Sequence, residues 1–312
     1  MKYFIRIFIL VAFVGIAFFS CKNEGTTPQG EAETLVSGTA TIYVDNTVQP
    51  IIEDVLAVYH NTYDRAAIKQ VNLNEQEIIQ LLMKDSARIV ALPRKLSESE
   101  ESIFKNKQIT ADVTEFATDA VVFITNKKAV DSIINLDEIV KVLKGDASGK
   151  IKSLVFDNPN SSTVQYLKTF ANVSALGTSG IYAMKTNEEV IKFVHDNDGS
   201  IGIIGLNWLL QAPPALTKFV ENIKVLGVDN VKKDNADKKY YKPNQDNLAT
   251  GSYPLTRKLY VLNYQGKQGL GMGFASYIGG IEGQRIILKS GLLPVRIPSR
   301  EISVRNKIQT TN

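Results

Sequence analysis

Along residues 38–289, short β-branched runs alternate with segments of helical period, and this alternation constrains the fold more than any other feature. Residues 39–44 (TATIYV) have strand character. After Asp45-Asn46-Thr47, the apolar residues Val48, Ile51, Ile52, Val55, Leu56 and Tyr59 recur at helical spacing. Thr47 is placed to cap that helix, and Pro50 falls in its first turn, where a missing N–H costs nothing. The pattern returns as strand 88–92 with helix 95–104, strand 120–125 with helix 136–143 closed by Gly145, and strand 154–156 with helix 163–170. Strands at 223–228 and 259–263 and helices at 274–278 and 283–289 complete it. The reading is an α/β fold with largely parallel sheets. Residues 229–252, rich in Asp, Asn and Lys, read as a surface excursion.

The chain has 312 residues, with 44% apolar and 22% charged, which fits a folded protein of two lobes at roughly 100–200 residues each and excludes a disordered chain. One cysteine, Cys21, rules out an internal disulfide, and two histidines, His60 and His195, are too few for an imidazole metal site. Neither a metal nor a cofactor is expected. Residues 7–19 are uncharged and follow Lys2 and Arg6. They are short of the ~20 apolar residues of a spanning helix and fit a secretory signal, residues 1–20. The signal ends Phe18-Phe19-Ser20-Cys21, which resembles a bacterial lipobox and predicts lipidation at Cys21. Residues 21–36 then read as a lipidated flexible tether. Removing Lys2 and Arg6 takes the net charge of +4 down by two, too little to suggest nucleic acid as a partner.

Signatures of catalysis are weak, and no enzyme is expected. There is no G-x-S-x-G elbow. Ser102 to Lys105 matches S-x-x-K by spacing without the companion motifs, and reads as a surface helix. Gly269-Leu270-Gly271-Met272-Gly273 lacks dinucleotide-loop spacing and reads as a loop that lets a C-terminal helix pack closely. His195 reads as a helix C-terminal residue favoured by the dipole, and His60 as a partly exposed side chain. Two loops could hold an anion. Asp45-Asn46-Thr47 and Asn160-Ser161-Ser162-Thr163 each place hydroxyl or amide groups and free N–H groups at a helix start. Taken alone, each is better read as ordinary capping.

Eight segments in order resemble the PstS-like phosphate-binding components of bacterial ABC transporters. Residues 38–50 (GTATIYVDNTVQP) resemble the opening strand and its "GSSTVxP" loop, and 86–98 (SARIVALPRKLSE) resemble "DIGxxSRxLxxxE". Residues 119–126 resemble "DGIAVIVN", 134–145 "LTxEQLxxIFxG", 158–163 (NPNSST) "RExGSGT", and 190–206 "VxxxPGAIGYVGL". Residues 251–259 (GSYPLTRKL) match "GYPLxRPL", and 282–295 resemble "EGQxIVxxxGYVPL". The resemblance implies a type II periplasmic-binding-protein fold: lobe one from 37–122 and 255–312, lobe two from 123–254, a hinge near Val122 and Tyr253-Pro254-Leu255, and an interlobe cleft. It implies that Asn46, Thr47, Arg94, Ser161, Ser162 and Thr163 bind the ligand. It further implies a monomeric, membrane-anchored extracytoplasmic lipoprotein that delivers phosphate or a similar oxyanion to a permease.

This sequence departs from the family pattern at four places. Asp157 and Asn158 stand where an arginine precedes the second loop, Ser162 replaces a glycine, Pro93 replaces a serine, and residues 64–69 lack a Gly/Ser-rich ligand loop. The alternative expectation is therefore a binding-protein scaffold with a degraded pocket, acting as an interaction or sensing module. A hydrolase would need a nucleophile, base or metal cluster that the sequence does not offer.

Overall fold

The computed structural model describes residues 33–230 and 239–299. The signal segment, Cys21, most of the tether and the middle of the 229–252 excursion lie outside the described residues. Residues 33–36, expected as the end of a flexible tether, are docked. The Glu33 carboxylate accepts from Leu270 N at 2.8 Å, and the Leu35 carbonyl accepts from the Tyr59 hydroxyl at 3.0 Å.

The first half opens with β1 (Gly38–Asp45), α1 (Gln49–Thr62), β2 (Ala66–Leu73), α2 (Glu75–Met83), β3 (Ile89–Leu92) and α3 (Glu98–Asn106). Strand β4 (Asp112–Asn126) then leads into β5 (Ile133–Ile134), α4 (Leu136–Lys144), β6 (Ser153–Phe156), α5 (Ser162–Ala171), β7 (Ile181–Ala183), α6 (Asn187–Asp196) and β8 (Ser200–Gly205). After the short helices α7 (Asn207–Leu210) and α8 (Thr217–Val220) come β9 (Ile223–Val225), β10 (Gly227–Asp229), β11 (Tyr240–Tyr241) and α9 (Gln245–Ala249). Strand β12 (Thr256–Asn263), α10 (Leu270–Gly279), α11 (Ile281–Ser290) and β13 (Leu293–Pro294) return to the first half.

The main sheet runs β2-β1-β3-β12-β4-β8-β6-β7, with β9 and β13 also on β4. It is less parallel than the sequence suggested. Two parallel groups, β2-β1-β3 and β8-β6-β7, are joined by β12 and β4, which run antiparallel to their neighbours. Strand β4 bridges the two groups. Its first part, 112–120, pairs with β12, and 121–126 pairs with β8 and β9. The partner changes where Val121 N donates to Leu255 O and Leu206 N to Ala120 O.

Helix packing follows the periodicity. Helix α1 buries Ile51, Ile52, Val55, Leu56 and Tyr59. Gly145 ends α4 in the left-handed region at φ +95°. Close approach fixes Gly273 on α10, since a Cβ there would lie 1.8 Å from the Leu35 carbonyl oxygen. The glycine run thus serves packing, as the sequence suggested. The aromatic rings of Tyr59, Phe274 and Tyr277 meet edge-on at 5.1–5.6 Å and lock α10 against α1. Phe274→Ala is expected to cost about 3–5 kcal/mol, read from the urea midpoint at constant slope.

Candidate functional site

In sheets of this type ligands gather at the carboxyl ends of the parallel strands. Four such ends converge here. Strand β1 ends at Asp45, β3 at Leu92 before Pro93-Arg94, β6 at Phe156 before Asp157, and β8 at Gly205 before Asn207-Trp208.

The two donor-rich loops meet. Thr47 does not cap α1; Val48 occupies that position without a side-chain cap, and the Thr47 hydroxyl turns inward. It donates in a short hydrogen bond to Asp45 Oδ1 and lies 2.9 Å from Ser162 Oγ. Thr47 N also donates to Asp45 Oδ1, at 2.9 Å, and Ser162 Oγ donates to the same oxygen at 2.8 Å. One carboxylate oxygen therefore gathers donors from two loops 115 residues apart. Asp45 Oδ2 is buried with no partner. On the second loop Ser161 caps α5 by accepting from Val164 N, and donates to Asp157 Oδ1 at 2.6 Å. Thr163 is fully buried and its hydroxyl is unpartnered. Asn46 enters through its main chain, its carbonyl accepting from Trp208 Nε1 at 2.9 Å. Asn207 Nδ2 donates to the Thr47 carbonyl at 2.6 Å.

The positive charge arrives from an unexpected strand. Arg257 on β12 stands directly opposite Asp119 on β4 in the antiparallel register, where cross-strand pairs interact. Its Nη2 and Nε donate to Asp119 Oδ2 at 2.8 and 3.2 Å, with the side chains 3% and 0% exposed. Its Nη1 reaches Ser162 Oγ at 3.4 Å. Gly205 makes room for this pair, since a Cβ there would lie 2.6 Å from Arg257 Nη2. A buried cation thus stands beside the second loop, carried by the 251–259 segment rather than by the residues just before that loop.

Arg94 lines the same cleft as Ser162 and Arg257, but its charge is committed. Its Nε donates to Glu75 Oε1 at 2.7 Å, and Nη1 and Nη2 grip Glu100 at 2.7 and 3.0 Å. Both carboxylates sit in the first turns of helices with capping boxes, Asn74 with Glu77 and Ser97 with Glu100. Burial tends to raise Glu100, but Arg94 and the Ser97 N–H hold it below the ordinary carboxylate range.

The remaining candidates are structural. His60 Nε2 accepts from Ile68 N at 3.1 Å. His195 sits in the last turn of α6, with Nδ1 at 2.7 Å from Asp196. Ser102 Oγ donates back to Ser99 O on exposed α3.

The cleft extends as a cavity of about 1020 Å³, with α2 on one side and α5 on the other. Behind its floor, three buried carboxylates, Asp45, Asp119 and Asp157, share one guanidinium. Burial pushes Asp157 up to about 7, opposed by donors from Ser161 and Asn187 and reinforced by the Asp45 charge. Burial also raises Asp45 and Asp119, with Arg257 pulling both the other way.

A two-part α/β protein whose strand ends present donors across a shared cleft has the architecture of a solute-binding protein. The chain belongs to the PBP superfamily, whose domain pattern matches residues 29–279. A Clostridium perfringens structure, named for a phosphate ABC transporter substrate-binding protein and holding phosphate, superposes with a TM-score of 0.68 at 18% identity. It covers 83% of this chain and 100% of its own. An ABC-type phosphate transport receptor from Vibrio cholerae gives 0.60 at 18% identity over 82% and 100%. The CcmR regulatory domain of Synechocystis PCC6803, in complex with 2-PG, gives 0.52 at 15% over 78% and 96%. No curated protein matches the chain by sequence.

The raised carboxyls fix the sign of the pH dependence. Folded Asp157 holds a proton up to about pH 7, whereas an unfolded aspartate releases it near ~3.9. Its stabilisation is therefore full below the unfolded value and lost as pH rises through about 7. Unfolding free energy is expected to fall between about pH 4 and 7, by at most ~1.4 kcal/mol per pH unit for each proton. Asp157→Asn should remove one proton's share of that slope in denaturant titrations run at each pH.

Proposed function

We propose that this protein is an extracytoplasmic solute-binding protein that captures an oxyanion, with inorganic phosphate the first to test, for the permease of an ABC transporter. Residues 37–122 with 255–312 form one lobe and 123–254 the other, and the ligand is held where Thr47 meets Ser162. The protein works as a monomer and is held at the membrane through lipid on Cys21. One observation carries this reading: Thr47 and Ser162, from loops far apart in sequence, already wrap a single carboxyl oxygen, that of Asp45, beside a buried guanidinium. Hydroxyl and amide donors at helix starts, in a site shielded from water, are suited to such an anion.

A second reading is favoured by the same contacts. Because Asp45 engages these donors, the scaffold could serve as a sensing or interaction module that takes no free oxyanion.

Calorimetric titration of the purified chain with phosphate, and with sulfate as control, separates the two. Saturable micromolar binding of phosphate is expected, weakened about ten- to a hundredfold by Ser162→Ala. Asp45→Asn, which removes the resident charge and keeps an acceptor, should tighten it. Silence toward both anions from folded wild type and folded Asp45→Asn would favour the module.

A further inference from the structure

The cleft in front of the donor cluster is larger than a free oxyanion requires. At about 1020 Å³ it stands at the upper end of the roughly 300–1,000 Å³ typical of sites for small organic molecules. Ser162 and Arg257 line it beside Tyr166 and Phe170 of α5, with Gln76 of α2 and Gln165 of α5. The lining mixes apolar and aromatic side chains (Ile79, Tyr166, Phe170, Pro254) with polar and charged ones, so it offers a packing surface as well as hydrogen-bonding groups to the body of an organic ligand.

One observation places an anion at its inner end. Arg257 is nearly fully buried, and two of its three nitrogens face Asp119. The third, Nη1, makes one long hydrogen bond of 3.4 Å to Ser162 Oγ, so donor capacity remains at the cleft. The inner donors are different. Thr47 Oγ1 and Ser162 Oγ lie within hydrogen-bond distance of each other and both serve Asp45. A bare oxyanion would meet little more than one guanidinium edge. A ligand with a body would add the walls, where the exposed or half-buried amides of Gln76 and Gln165 offer both donors and acceptors.

We propose that the solute is a small organic molecule bearing one oxyanion group. The anion meets the guanidinium edge at Arg257 Nη1, beside Ser162, and the body lies between α2 and α5 against Tyr166 and Phe170. This rests on the cleft being the anion site proposed above, and it replaces the free ion by an organic one.

Calorimetry on the purified full chain tests it with inorganic phosphate, glycerol 3-phosphate, glucose 6-phosphate, phenyl phosphate and benzoate. Glycerol and glucose serve as uncharged controls. The expected result is at least one organic anion binding tenfold or more tightly than phosphate, with both controls silent. Phenyl phosphate against benzoate separates a phosphate from a carboxylate head group. Phe170→Ala and Gln165→Ala, on the partly exposed wall, should each lower the organic-to-inorganic affinity ratio several-fold. Phosphate binding as tightly as every organic probe would overturn this inference and leave the oxyanion reading standing. No binding of any anion, by protein shown to unfold cooperatively, would overturn both. Tighter organic binding indifferent to both wall variants would overturn the placement of the body.

Discussion

A single carboxyl oxygen, Asp45 Oδ1, ties together loops from the two halves of this protein. It accepts from the main chain and hydroxyl of Thr47 on its own loop and from Ser162 of the opposite half. The strands that carry these loops, β1 and β6, are separated in the sheet by β3, β12, β4 and β8. No main-chain ladder joins them directly, so at this point contact between the halves runs through side-chain hydrogen bonds. In a water-poor site such bonds to an ionised group are worth about twice a neutral one, and losing either partner leaves a buried group unsatisfied. The neighbouring contacts, Asn207 to the Thr47 carbonyl and Trp208 to the Asn46 carbonyl, hold the first loop in the shape that presents Asp45.

The long strand β4 and its partner β12 make this arrangement possible. They join the two parallel groups, and their register sets Asp119 opposite Arg257 at the crossing. A buried guanidinium needs a counter-charge, and Asp119 supplies it across the ladder. The geometry leaves Nη1 turned toward Ser162, so one structural ion pair also offers a donor to the cleft. Gly205 on β8 completes the fit, because any side chain there would displace the pair.

Much of this was legible in the sequence, and the failures have physical causes. Helices α1, α4 and α5 announced themselves through apolar spacing, Pro50 and Gly145. Strand β2 did not, because AAIKQVNL buries only Ala66 and Ile68 and reads as polar. Strand β4 was recognised over 120–125 but extends back to Asp112, where it is partly exposed and its residues carry charge. Thr47 reads as a cap in the sequence because caps and inward-turned, hydrogen-bonding hydroxyls are the same residue types in the same place. The loops were found, and Asp157 was noticed as a departure. The role of Asp45 was missed, since an aspartate before a helix is ordinarily read as capping. Arg257 lies within a family-like segment, yet nothing local marks it for a buried ion pair beside Ser162. Its partner lies 138 positions away, and only the antiparallel register brings them together.

The charge in the cluster ties ligand to proton. Asp45, Asp119 and Asp157 face one guanidinium, so full ionisation would bury two uncompensated negative charges, at a cost too high to persist. A proton on Asp157 relieves part of this, and hydroxyl donors from Thr47, Ser161 and Ser162 spread what charge remains. An anion arriving beside Asp45 enters a cluster already rich in negative charge. It would have to bring its own proton or draw one onto a carboxyl. The same carboxyls therefore tie how firmly the halves hold each other to pH, and would set which charge state of an anion the proposed site takes.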